Sequence, residues 1–133
     1  MNTIVDLIRS LPDLLTMQGA SPEQIAHAEA ELNTSFAPEY RDYLSAFGCI
    51  VFAAHELTGI CASPRLNVVS VTIQARTANP DIPPENYVIE DIGIDGVLIW
   101  QNPCGAIFQS VPGRGLAKVA SSLSDYLLAR SRS

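Results

Sequence analysis

The sequence predicts an α+β fold: a single domain over residues 1–133, with an antiparallel or mixed central sheet and helices packed on one side of it. Three observations carry that expectation. Helix start and stop signals cluster before residue 49 and again after residue 121. Between residues 87 and 111, short apolar runs alternate with turn residues. The 133 residues are 47% apolar and only 17% charged, which is enough to build a core and too little charge for a disordered chain.

The elements follow in order. Ile4, Leu7, Ile8, Leu11, Leu14 and Leu15 recur at helical spacing and predict a first helical region, which Pro12 should kink or restart. Ser21, Pro22 and Gln24 supply an N-cap, a first-turn proline and the glutamine of a capping box; Ile25, Ala28 and Leu32 then share one face of a second helix. Pro38 opens a third helix, where Tyr40, Tyr43, Leu44 and Phe47 lie at i, i+3, i+4 and i+7 and Gly48 stands as the C′ residue.

Ile50 to Ala53 reads as a short strand, and Glu56 to Gly59 leads into a loop containing Pro64. Asn67 to Thr77 is ambiguous. Val69, Val71, Ile73 and Ala75 alternate with polar residues as in a half-buried strand, yet Val69, Thr72, Ile73 and Arg76 also fit a helical face. The β-branched content alone favours a strand.

After a proline-rich extended loop at Asn79 to Glu85, the segments Tyr87 to Ile92, Val97 to Gln101 and Ala106 to Val111 read as successive antiparallel strands. Asp95-Gly96 is a two-residue hairpin signal, and Asn102-Pro103-Cys104-Gly105 is a longer turn. Pro112 to Gly115 reads as a further hairpin turn or loop. Ser122 and Asp125 cap a closing helix with Leu123, Tyr126 and Leu127 inward.

Charge excludes several function classes. Fourteen acids against eight bases leave a formal charge of −6, whose summed field repels phosphate backbones, so no nucleic-acid role is expected. No polybasic run offers a membrane anchor, and no apolar run approaches the ~20 residues of a membrane span. Asp6 interrupts the first apolar stretch, which fits neither a signal nor a transit peptide and points to the cytoplasm.

Motifs for chemistry are weak. His55-Glu56 begins like a zincin motif, but Gly59 stands where the second histidine belongs. Cys49, His55 and Cys61 lack the tight pairs of a structural zinc site, and no serine sits in a nucleophile elbow. No metal or cofactor is expected. Glu90 and Asp91, as strand neighbours, should point to opposite faces and not converge on a substrate.

Charge placement is more informative. Asp81, Glu85, Glu90, Asp91 and Asp95 put five acids and no base into residues 81–95. Such a segment either maintains solubility or docks a basic partner, which it would steer electrostatically. Trp100, the only tryptophan, is a candidate anchor for such a partner as well as a candidate core residue.

The block Phe36-Ala37-Pro38-Glu39-Tyr40-Arg41-Asp42-Tyr43-Leu44 with Phe47-Gly48, then His55-Glu56-Leu57-Thr58-Gly59, resembles the SUKH superfamily, which includes a fungal cell-wall synthesis regulator and many bacterial immunity proteins. Further similarity continues in family order through Tyr87-Val88-Ile89-Glu90, Ile94-Asp95-Gly96, Ile99-Trp100-Gln101 and Ser122 to Leu127, so that about residues 20–128 are covered. One departure is Phe36-Ala37-Pro38, where the family commonly has a leucine-proline pair. The resemblance implies an α+β fold, a helix at residues 67–77, no cofactor and no enzymatic activity.

It also implies a partner: a cognate toxin domain, often a nuclease, that is bound and neutralised in the cytoplasm. Glu56, Glu90, Asp91, Asp95 and Trp100 are the candidate partner-binding residues. Two other readings stay open, a regulatory scaffold for an endogenous protein and a small hydrolase or metal enzyme using His55 with Cys49 or Cys61. Self-association is open too, because an apolar excess suits a homo-oligomer or a partner site equally.

Overall fold

A computed structural model describes residues 3–132. Thr3 caps the first helix, α1 (Ile4–Arg9), by accepting from the Asp6 N–H at 3.1 Å. The helix stops well before Leu15. Pro12 cannot donate to the helical ladder and Asp13 takes a positive φ of 54°, so Leu15 and Thr16 form a short strand, β1 (Leu15–Thr16), instead of a continued helix. The capping box of α2 (Pro22–Leu32) is formed in both directions, Gln24 N–H to Ser21 Oγ at 3.1 Å and Ser21 N–H to Gln24 Oε1 at 2.8 Å. The third helix, α3 (Pro38–Phe47), ends at Gly48, whose φ is +73°.

Next come β2 (Ile50–Phe52) and β3 (His55–Glu56), which form a three-stranded antiparallel sheet in the order β1-β2-β3. A 3-10 turn at Pro64–Leu66 leads into α4 (Val68–Ala78). The ambiguous segment is therefore a helix. Asn67 caps it by accepting from the Val69 and Ser70 N–H groups at 3.0 and 3.3 Å, and Val68, Thr72 and Ala75 form its buried stripe. The alternation that suggested a strand does not match burial, since Ile73 is 49% exposed.

The second sheet is an antiparallel meander, β4 (Tyr87–Asp91), β5 (Leu98–Gln101), β6 (Ile107–Val111) and β7 (Gly115–Ala120), followed by α5 (Leu123–Ser131). Strand β7 was not expected from the sequence. Most of its residues are solvent-exposed, so it lacks the apolar alternation that marks a half-buried strand.

The sheets meet at a seam after β3. Leu57 bridges antiparallel to Glu90, the Thr58 N–H donates to Ile89 O at 2.9 Å, and Thr58 Oγ1 donates to Val88 O at 2.8 Å. Thr72 of α4 accepts the Val88 N–H at 3.0 Å, so the outer edge of β4 is capped rather than left open.

Ile8, Leu32, Leu44, Ile50, Ile99 and Leu127 join in the main core, to which every helix contributes, α4 through Val68 at its start. Within it, Phe36, Tyr40, Tyr43 and Tyr87 form a cluster with neighbouring ring centroids 4.8–5.4 Å apart. α4 lies along β4, where its Ala75 meets Val88 and Trp100 in a smaller cluster. None of the described helices is long and apolar enough to cross a membrane.

Candidate functional site

Strand β4 carries an irregularity that sets up the site. Val88 pairs with Trp100 while Glu90 pairs with Ile99, so two steps on β4 match one on β5 and Ile89 is the extra residue of a bulge. Cross-strand partners share a face, and Trp100 and Ile99 belong to different clusters. The bulge therefore turns Glu90 away from the Val88 side and into the main core. As expected for strand neighbours, Glu90 is buried and Asp91 exposed.

The Glu90 carboxylate, only 3% exposed, is held at both oxygens. Tyr126 of α5 donates its hydroxyl to Oε1, and His55 Nδ1 of β3 lies 3.1 Å from Oε2. Arg130 Nε donates to the Tyr126 oxygen at 3.1 Å, and its guanidinium carbon stands 5.0 Å from the centre of that ring. Burial, with the Glu90 carboxylate alongside, drives the Tyr126 pKa far up, so the phenol stays a proton donor. Three elements thus converge on one buried acid.

This cluster forms part of the lining of a cleft of about 550 Å³ between the β2–β3 and β4–β5 hairpins. Glu56 stands on its wall in a two-pronged pair with Arg65, at 2.5 and 2.9 Å, and those hydrogen bonds hold the Glu56 carboxyl below its usual pKa. Asp91 also lines the cleft, with Oδ1 accepting from the Gly93 N–H at 2.9 Å. Asp95 lies at the hairpin tip, where positive φ at Asp95 and Gly96 and a Val97 N–H to Ile94 O bond of 3.1 Å make a type I′ turn.

The candidate residues therefore divide. Glu56, Glu90 and Asp91 come together at the cleft, and Asp95 sits at its rim. Trp100 is elsewhere: it is fully buried beneath α4, with its indole N–H donating to Ser110 Oγ at 2.9 Å, and offers no surface to a partner. Asp81 and Glu85 are exposed on the loop before β4. Asp91 and Asp95 have no ion pair among the described residues.

Sequence reasoning missed Tyr126 and Arg130, whose roles depend on α5 docking over β4. Ile94 was missed too, although an apolar residue directly before Asp95-Gly96 is a signal for an exposed hairpin tip; it is 64% exposed. The residues once weighed as metal ligands separate, with His55 in this cleft and Cys61 in another hollow. Among the described residues no group of three or more His, Cys, Asp or Glu is placed to hold a metal ion.

The fold and this seam define an α+β protein in which sequence landmarks such as Tyr40, Tyr43, Thr58 and Tyr87 bond across elements. A comparison with protein families matches residues 1–130 to the SUKH_5 family, described as SMI1-KNR4 cell-wall. The chain belongs to that family and so to the SUKH superfamily. A search of curated proteins found no match. Membership is consistent with a protein-binding role.

Proposed function

We propose that the protein is a non-enzymatic immunity protein that neutralises a cognate bacterial toxin domain, a nuclease among the candidates, by direct binding. Family membership across residues 1–130 is the observation that carries this reading. The surface chemistry agrees with it. An exposed apolar residue, Ile94, projects beside Asp91 and Asp95, two acids without ion pairs among the described residues. Unpaired acids at a rim steer a basic partner, and a projecting apolar side chain supplies the anchor. A nuclease toxin, basic around its phosphate cleft, matches that arrangement.

The test is co-expression with toxin domains encoded immediately upstream of the gene, read as growth rescue and as a purified complex. A D91N/D95N double variant, which keeps the Oδ1 acceptor and a residue type suited to the left-handed turn, should keep its thermal midpoint and slow association severalfold at low salt. Rescue and association rate both undiminished by that neutralisation would remove the acidic tip from the interface. Absence of rescue with every neighbouring toxin, together with recovery of one endogenous protein in a defined complex, would favour the regulatory scaffold reading.

A further inference from the structure

The two cysteines flanking the β2–β3 hairpin lie together. The segment after β3 runs back along the start of β2, with Leu57 N–H donating to Ile50 O at 3.0 Å and Ile60 N–H to Gly48 O at 2.9 Å. Gly59 presses so closely on this partner that a side-chain carbon there would lie 1.8 Å from Gly48 O and 2.7 Å from Cys49 Cβ. Only glycine permits that approach, and it brings residue 61 back beside residue 49.

Access to the pair is one-sided. Cys49 is fully buried, whereas Cys61 is half-buried and lines a surface hollow of about 540 Å³ with Met17, Gln18, Gln24 and Ile60. We propose that Cys49 and Cys61 form a redox-active dithiol that closes to a disulfide by exchange with a low-molecular-weight disulfide. The Cys61 thiolate attacks one sulfur of the small disulfide, forms a mixed disulfide and releases one small thiolate. The Cys49 thiol then loses its proton to solvent, and its thiolate attacks Cys61 Sγ, forming the internal bond and expelling the second small thiolate. The protein loses two thiol hydrogens and is oxidised; the small disulfide is reduced to two thiols.

Closure would tie the residue before β2 to the segment after β3, and so staple the hairpin that forms one wall of the cleft. Burial and the neighbouring Cys61 thiol, with the Glu56 carboxylate adding to them, push the Cys49 pKa up to about 12. The second exchange is therefore the slow one, and it speeds up about tenfold per pH unit between about 7 and 9.

The experiment incubates the full chain with oxidised glutathione and follows intact mass, free-thiol count and peptide mapping. The expected product has lost two of its three thiols, carries no glutathione, contains a Cys49–Cys61 peptide link and reverts with dithiothreitol. A Cys104→Ser variant should behave identically, and Cys61→Ser should leave Cys49 unreacted. A stable glutathione adduct on Cys61, dimers linked through Cys104, or three thiols still free would each overturn the proposal. The result bears on the thiols alone and leaves the toxin-binding reading to its own test.

Discussion

The two hairpins that wall the cleft both reverse the chain through a pair of positive-φ residues, yet they solve the turn differently. The β4–β5 hairpin uses Asp95-Gly96 at φ +56° and +71°, residue types that accept a left-handed backbone at little cost. The β2–β3 hairpin uses Ala53-Ala54 at +43° and +68°, where each Cβ crowds the following carbonyl and costs ~1–2 kcal/mol. The strained hairpin carries His55 and Glu56, the relaxed one Asp91 and Asp95. Strain persists only where surrounding contacts over-determine the backbone. Here those contacts are the seam: Glu90 gripping His55, and Thr58 bonded to Val88 and Ile89.

The seam can be broken outright at high pH. Tyr40 and Tyr43 bond to Thr58, Tyr126 bonds to Glu90, and burial raises the pKa of all three above the ordinary value of 10.0. Their stabilising contribution is full below pH 10 and drains away as pH climbs beyond it, because the unfolded chain ionises first. Phenolate absorbance near 295 nm should stay silent until the chain unfolds and then appear for all four tyrosines, Tyr87 included, in one step. A normal titration near pH 10 would contradict their burial.

Glu90→Ala should come next, at about 3 kcal/mol by urea denaturation, because it strands a buried phenol and releases the strained hairpin from its anchor. Exchanging the turns sharpens the contrast further. Gly96→Ala should cost about 1–2 kcal/mol, since it puts a side chain on a left-handed backbone and 2.9 Å from Pro112 Cγ. Ala54→Gly should instead raise stability by about 0.5–1 kcal/mol. Opposite signs from thermal melts of these two variants are the signature of one strained and one relaxed turn, and equal signs would refute it.

The same contrast explains what could be read in advance. Asp95-Gly96 advertises its turn, whereas Ala53-Ala54 carries no turn chemistry, so β3 was read as the start of a loop. Helix α4 was decided by its cap at Asn67 and by the place of Thr72 against β4, both tertiary facts that outweigh β-branched propensity. Strand β7 escaped notice because solvent on its side chains erases the alternation. The opposite pointing of Glu90 and Asp91 was legible from strand geometry; that Glu90 faces Tyr126 and His55 depends on a bulge at Ile89, which no local residue signals. Trp100 was legible only as a large apolar side chain, and the covering helix that buries it was itself in doubt.

The seam also bears on how the chain reaches its native state. Strands β4 to β7 are joined in sequence order, so each pairing closes only a short loop and is quick to find. Docking Thr58 against Val88 spans 30 residues and must wait for α4 and the following loop to fold back, so it belongs late in folding. A chain arrested before that step would hold a finished meander and a finished core helix pair, but its two hairpins would not yet face each other. The cleft is therefore a product of the final docking event, and only chains whose folding is complete present it.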